Sequence, residues 1–289
     1  MATSTQLLSG FDYSDSLAAG QVDSYWLNLT AGVTYFLGLD NGSSSNNLFF
    51  TLQGPNGEVL THHPTNQWWA FTPDVSGTFQ MSVDTTDGTP GCYSFSGGTG
   101  WIKETDTSTG ITTHPFLYDY TGPVAGITGQ FVDLNTDNIN LLAHSDSVFL
   151  HSGSGEDAIQ VAGGTNVLDG GTGSNFLVGG TGQDNFFIDD RAPVADIWST
   201  IVNFHAGDSA TIWGVTTADF SLSWLNNQGA SGYTGLTGTF SAPGQPNAIF
   251  TLAGFTSADL TNGRLSISFG RTQDLPDLPG SNYMLIQAH

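Results

Sequence analysis

Positive charge is nearly absent from this chain of 289 residues. Lys103, Arg191, Arg264 and Arg271 are its only basic residues apart from histidine, against 26 acidic ones, for a formal charge of −22. So few cations cannot neutralise phosphates, which argues against nucleic acid and anionic membranes as partners. Cysteine is as scarce: Cys92 stands alone, so no intramolecular disulfide can form. Glutamate occurs only at Glu58, Glu104 and Glu156, so the remaining acids are aspartates. Aspartate favours tight turns and holds its carboxylate close to the backbone, where turn-built cation sites need it. An ordinary acidic surface has the same balance, and composition alone does not separate the two.

Other absences narrow the field. No apolar run approaches the roughly 20 residues of a spanning helix, so no membrane insertion is expected. The first ten residues, MATSTQLLSG, show no basic segment followed by an apolar one, so no signal peptide is expected. His62, His63, His114, His144, His151, His205 and His289 form no His-Glu-x-x-His motif and no zinc-ligand spacing. There is neither a Gly-x-Ser-x-Gly elbow nor a phosphate-binding glycine loop with lysine. The acid pairs Asp189-Asp190 and Asp84-Thr85-Thr86-Asp87 imitate glycosidase carboxylates but fit turn and cation roles better. The expectation is a protein that is not an enzyme, with no catalytic residue to assign.

What is abundant is glycine, 38 residues of it, punctuating short alternating segments. Tyr25-Leu27-Leu29, Val33-Tyr35-Leu37-Leu39 and Phe79-Met81-Val83 each place apolar side chains on one face at period two. Turn material such as Asn41-Gly42-Ser43, Gly54-Pro55-Asn56-Gly57 and Ser76-Gly77 separates them, as in a β-sandwich. Trp68 is a candidate sugar-stacking residue opposite Trp69 and Phe71, with incidental exposure as the plainer reading. Residues 98–125, with Phe116, Tyr118 and Tyr120, read as a connector. Strand patterns return after 192, at Ile249–Leu252, Leu265–Phe269 and Tyr283–Ile286, and Ser257–Leu260 can open one helical turn.

Between Ser152 and Phe187 the sequence repeats every nine residues. Leu141, Leu150, Ile159, Leu168, Leu177 and Phe186 keep one register, Gly155, Gly164, Gly173 and Gly182 a second, and Asp157, Asn166, Asn175 and Asp184 a third. A glycine-rich turn of about six residues followed by a three-residue strand stacks into a parallel roll whose core is the aliphatic row. Its turns bring carbonyls and carboxylates together, an all-oxygen environment suited to calcium. A glycine-rich solenoid without metal is the alternative.

Gly170-Gly171-Thr172-Gly173-Ser174-Asn175-Phe176-Leu177 and Gly179-Gly180-Thr181-Gly182-Gln183-Asp184-Asn185-Phe186 resemble the RTX, or haemolysin-type, calcium-binding nonapeptide. Ser152–Ile159 is a third copy and Val161–Leu168 a degenerate one. In that family two repeats make one coil, so the resemblance pairs Asp157 with Asn175 and Asn166 with Asp184. One aspartate and one asparagine per site imply one or two weak Ca2+ sites. Gly153, Gly155, Gly164, Gly171, Gly173, Gly180 and Gly182 supply the turns, with Asp169 and Asp189 as supplementary acids at the ends. Asp196–Asp208 is similar to the strand that follows such rolls. The family is exported by type I secretion without a cleaved N-terminal signal, which implies a bacterial protein, secreted or at the cell surface. Separately, Asp23–Gly32, Leu52–Gly57, Phe71-Thr72-Pro73 and Ser76–Phe79 resemble the bacterial pre-peptidase C-terminal (PPC) domain, an accessory of secreted enzymes and surface proteins.

The expected fold is all-β: a jelly-roll-like β-sandwich (1–97), the connector (98–125), an RTX-like β-roll (126–191) and a β-rich cap (192–289). The expected function is that of a calcium-stabilised structural or adhesive protein outside the cell, with assembly into a surface layer or matrix as its elaboration. The candidate partners are calcium, a second copy and a surface or matrix polysaccharide. The competing reading is a carbohydrate- or matrix-binding accessory module of a secreted hydrolase.

Overall fold

The computed structural model describes residues 4–7, 11–41, 48–64, 67–85, 88, 90–98, 102–113, 115, 117–143, 145–191, 195–274 and 279–289. The chain is all-β, with one short helix, α1 (Ser257–Thr261), among the described residues. Among those residues no helix is long and apolar enough to cross a membrane. Two compact units emerge: Met1–Trp101 with Phe116–Asp119, and Ile102–Pro115 with Tyr120–His289.

The first unit carries β1 (Ser4–Leu7), β2 (Phe11–Leu17), β3 (Asp23–Leu29), β4 (Tyr35–Asn41), β5 (Leu48–Gln53), β6 (Val59–Pro64), β7 (Gln67–Phe71), β8 (Gly77–Thr85) and β9 (Gly91–Gly98). One sheet runs β1-β3-β8-β5-β6 and the other β2-β9-β4-β7. Period-two alternation sends Tyr25, Leu27 and Leu29, Leu37 and Leu39, and Phe79, Met81 and Val83 into one core. Among the described residues that core holds one polar centre. Asp23 is fully buried and accepts hydrogen bonds from the Tyr93 hydroxyl at 2.8 Å and from Gln21 Nε2 at 2.5 Å. With the Tyr93 proton given to Asp23, the Tyr25 hydroxyl donates to Tyr93.

β12 (Tyr118–Asp119) belongs to the first unit, and the second is a coil of parallel strands flanked by antiparallel ones. Its strands are β10 (Ile102–Asp106), β11 (Thr112–Thr113), β13 (Gly129–Val132), β14 (Ile139–Ala143), β15 (Val148–His151), β16 (Ala158–Gln160), β17 (Asn166–Thr172), β18 (Phe176–Val178), β19 (Asp184–Asp189), β20 (Ile197–Val202), β21 (Ser209–Trp213), β22 (Ser221–Gln228), β23 (Gly235–Ser241), β24 (Ala248–Ala253), β25 (Leu265–Arg271) and β26 (Asn282–Ala288). One sheet has the order β11-β10-β14-β16-β18-β20-β24-β23-β22, and the facing sheet runs β13-β15-β17-β19-β21-β26-β25.

Parallel pairing places Leu141 beside Ile159 and Leu177, and Leu150 beside Leu168 and Phe186, one coil per 18 residues. All six side chains are buried, so the ninefold aliphatic row is the core between the sheets.

The coil reaches beyond 191. β20 and β21 add a further turn at a step of 24 residues, with Leu177 beside Ile201 and Phe186 beside Ala210. At the other end β10, within the expected connector, pairs antiparallel along β14 and covers an otherwise open sheet edge. The short helix forms where Thr256 and Asp259 make a reciprocal capping box.

Stacking at this pitch requires glycine. A Cβ on Gly171, which sits at φ +64°, would lie 1.8 Å from Gly153 O, and one on Gly182 would lie 1.9 Å from Gly164 O. Neither oxygen belongs to a movable side chain. Gly182→Ala is therefore expected to destabilise the second unit by at least about 3 kcal/mol. Chemical denaturation monitored by far-ultraviolet circular dichroism measures this, and a loss below about 1 kcal/mol would contradict the stacked-turn geometry.

Candidate metal centre

The four residues of the third register are all buried where a turn becomes a strand: Asp157, Asn166, Asn175 and Asp184. Backbone amides at such a point lie between stacked turns and have lost water, so they need internal acceptors. The side chains supply them from one coil later. Asp157 Oδ1 accepts from Ile139 N–H at 2.9 Å, Asn166 Oδ1 from Val148 N–H at 3.1 Å and Asn175 Oδ1 from Asp157 N–H at 3.0 Å. On the last coil Ser199 Oγ accepts from Asn175 N–H at 3.1 Å and Asp208 Oδ1 from Asp184 N–H at 2.9 Å. One side of the roll thus carries an unbroken ladder of side-chain oxygens, and on the other the Asn166 amide turns to Gln183 O at 3.1 Å.

The second polar atom of each side chain decides what the turns can hold. Asn175 Nδ2 donates to Gly170 O at 2.9 Å and Gly173 O at 3.4 Å. Asn166 Nδ2 donates to Gly163 O at 2.8 Å, Gly164 O at 3.4 Å and Asp184 Oδ1 at 2.7 Å, while Asp184 Oδ2 accepts from Gly180 N–H at 2.6 Å. Asn203 Nδ2 repeats the pattern on Gly179 O and Gly180 O. In three turns an amide NH2 therefore points at the carbonyls a cation would need. The asparagine carbonyls, read from sequence as weak ligands, already accept backbone N–H groups. At the Asn166–Asp184 pair the residues do not fit calcium, which takes six to eight oxygens and no N–H donors.

The Asp157 turn differs. Asp157 Oδ2 is buried and has no hydrogen-bond partner among the described residues. Burial pushes this carboxyl above the usual aspartate range, an effect that the Ile139 N–H on Oδ1 and the nearby Ser152 and Gly155 lessen without cancelling. A buried carboxylate oxygen that makes no hydrogen bond is where a cation is favoured, so this turn fits the ion. Among the described residues no three His, Cys, Asp or Glu side chains cluster as metal ligands, so backbone carbonyls must complete such a site.

The glycines of the prediction lie in these turns, with Gly171 against Gly153, Gly173 against Gly155, Gly182 against Gly164 and Gly180 against Ala162. Both supplementary acids are engaged. Asp169 accepts from Gly171 N–H at 3.0 Å and meets His151 Nδ1 at 2.9 Å. That hydrogen bond raises the His151 pKa. Asp189 is held by Arg191 through Nε at 2.9 Å and Nη2 at 2.5 Å. Burial raises its pKa, yet the Arg191 hydrogen bonds and charge outweigh that and leave the carboxyl below its usual value.

Beside it, Asp190 is 3% exposed, and neither carboxylate oxygen has a partner among the described residues. Burial, then the Asp189 charge, lift its pKa to about 6. Ser199 and Asp208 were not foreseen as ladder members, nor Asn203 as a donor to the turn carbonyls, because the 24-residue step takes them off the ninefold register. The side chains of His62, His63 and Trp68, together with Thr86, Asp87, His114, Phe116 and His144, lie outside the described set.

No protein-family model matches this chain, and no curated protein sequence does either. Partial likenesses occur among solved structures. The pre-peptidase C-terminal domain of a Bacillus anthracis collagenase aligns with 34% of this chain and 96% of its own length at 16% identity, with a TM-score of 0.31. A periplasmic inhibitor of g-type lysozyme from Aeromonas hydrophila covers 34% of this chain and 96% of itself at 17% identity and a TM-score of 0.30. A mitogen from Yersinia pseudotuberculosis covers 32% and 87%, at 10% identity and 0.28.

Two measurements follow from the ladders and from Asp190. Asn166→Asp removes a donor and sets a second carboxylate beside Asp184, so without metal it is expected to lower stability by about 1–3 kcal/mol. In millimolar calcium, part of that loss should return. An equal loss in calcium and in chelator would show that the amide is not acting in the place of a cation. For Asp190 the folded pKa lies above the unfolded one. Its stabilising contribution is therefore complete below about pH 4 and lost as pH rises through about 6, by at most roughly 3 kcal/mol. Asp190→Asn should thus raise the melting temperature at pH 7.5 and leave it unchanged at pH 4; a pH-independent difference would remove this carboxyl as the cause.

Proposed function

We propose that the chain is an extracellular structural or adhesive β-protein whose roll is stabilised by calcium at one place, the Asp157 turn. The observation that carries this reading is the buried, unpartnered Asp157 Oδ2, set among close-stacked glycine turns in a chain of charge −22. The likeness of the nonapeptides to the haemolysin-type repeat supports the choice of calcium. In this reading export follows the type I route of that family, and the chain folds where calcium is abundant. Asp157 and the carbonyls of the Gly153–Gly155 turn are the residues to hold the ion. Bound there, calcium supplies the positive charge that this carboxylate lacks. Asp157 Oδ1 remains on Ile139 N–H, so binding leaves the ladder intact. The PPC-like sandwich is read as the presenting or adhesive element.

A ligand that binds only the folded state stabilises it by about 2.7 kcal/mol at one hundred times its dissociation constant. Chelator-treated protein should therefore melt higher in calcium and not in magnesium, with an apparent constant near the millimolar class of extracellular sites. Asp157→Asn should abolish the response and raise the stability of the metal-free protein, because a buried unpartnered charge is removed. A melting temperature unmoved up to about 10 mM calcium would overturn the reading and leave a roll held by its asparagines alone.

A further inference from the structure

The roll ends on an unprotected sheet edge. β22 pairs with β23 on one side, and among the described residues no strand pairs with its other side. Natural edge strands are blunted by charge, proline or cover because open N–H and C=O groups recruit other chains. The edge of the facing sheet follows that rule, since β25 ends on Arg271 and starts next to Arg264. β22 does not. Its sequence, SLSWLNNQ, has no charge and no proline, and the cover is partial. Asn226 is tied to α1 through Ser257 N–H at 2.7 Å and Ser257 Oγ at 2.9 Å, which leaves Ser221–Leu225 open.

Side chains at this end are also incompletely covered. Leu222 and Trp224 lie on the core side, Trp224 5.6 Å from the Phe250 ring, yet both remain half-buried. Leu225 is 57% exposed and Phe269 41%. Charge identifies what can cover them. No charged residue and no histidine lies between Asp219 and Asp259, a span that includes β22, β23 and β24. Two molecules of charge −22 repel across an acidic face, and this span offers a neutral one.

We propose that the Ser221–Leu225 edge is a self-association site, at which a second copy of this chain pairs antiparallel about a twofold axis. β22 would lie beside β22 and join the two nine-stranded sheets. The interface is isologous: each copy offers the same open backbone and the same apolar rim, so the contact closes as a dimer. It deepens the structural role proposed above but rests on the neutral edge and not on calcium. A contact of this size belongs to the weak class, on the order of 1,000 Å² or less, so reversible association in the micromolar range is the expected behaviour.

The experiment is sedimentation of the full chain from about 1 to 100 μM at about 0.15 M salt, where charge repulsion is screened to short range. It is run once with millimolar calcium and once with chelator. A concentration-dependent dimer is expected in both. Leu225→Asp should weaken it at least tenfold, because a pairing of β22 with itself brings an added acid from each copy into one interface. Leu134→Asp, which changes charge equally at a site 80% exposed, should leave it unchanged. Melting temperatures of both variants verify folding; if Leu225→Asp melts low, the exposed Ser223→Asp takes its place. A protein monomeric throughout the range overturns the proposal, and so does a dimer indifferent to both edge variants. Dimerisation in chelator with no calcium response in melting would retain the edge site and reject the metal reading alone.

Discussion

Close stacking of turns is the constraint on which the second unit depends. Bringing one glycine turn against the next within a single coil leaves no room for water between them, so the backbone groups there must be satisfied from inside. At five strand heads a side-chain oxygen accepts from the coil below, whereas the Asn166 amide reaches the Gln183 carbonyl instead. Asp157, Asn166, Asn175, Ser199 and Asp208 all accept in this way, though they are of three residue types. A side-chain oxygen at that position is needed whether or not metal is present. What varies is the second atom of the side chain, and it sets the character of each turn. An amide NH2 closes the turn on itself, whereas a carboxylate oxygen needs a donor, as Asp184 Oδ2 finds in Gly180 N–H, or else a cation or a proton.

The legible part of the sequence was the part governed by period. Alternation at β3, β4 and β8 identified a sandwich core, and the ninefold row from Leu141 to Phe186 identified the interior of the roll, because burial on one face leaves a regular imprint. The chemistry of the turns was less legible. Asparagine and aspartate share a shape and both fit the register, and nothing in a one-letter string says which end of an amide faces a carbonyl. The final coil escaped for a different reason. Six additional residues between Phe186 and Ala210 break the ninefold spacing while the pairing continues unaltered. β10 was hidden as well, since only Ile102 is buried in that strand and alternation has little to mark.

Charge is distributed with a logic of its own. Three of the four basic residues pair locally with aspartates, Arg191 with Asp189, Arg264 with Asp259 and Arg271 with Asp274. In each pair the arginine is half or more exposed to solvent, so each adds little stability. They do not offset the remaining acids, so the folded chain carries a large uncompensated field. Folding is compatible with that field because most of the carboxylates lie in turns and at the surface, and because the buried ones are engaged by N–H and hydroxyl donors. Asp157 Oδ2 and both oxygens of Asp190 are the exceptions among the described residues. The neutral span between Asp219 and Asp259 is the counterpart, a face where the field is weakest.

The parallel pairing of strands 18 residues apart makes the roll a ruler with fixed graduations. Deleting one full coil removes a strand from each sheet and rejoins like to like: Leu141 would meet Leu177, and the Ile139 amide would meet the Asn175 oxygen. A gain or loss of a few residues inside a strand instead turns the aliphatic row outward and takes the ladder out of step. Insertions are tolerated only in the loops that connect strands, as the lengthened last coil demonstrates. The roll can therefore grow or shrink over generations only in whole coils, and its length is a counted quantity, not a continuous one.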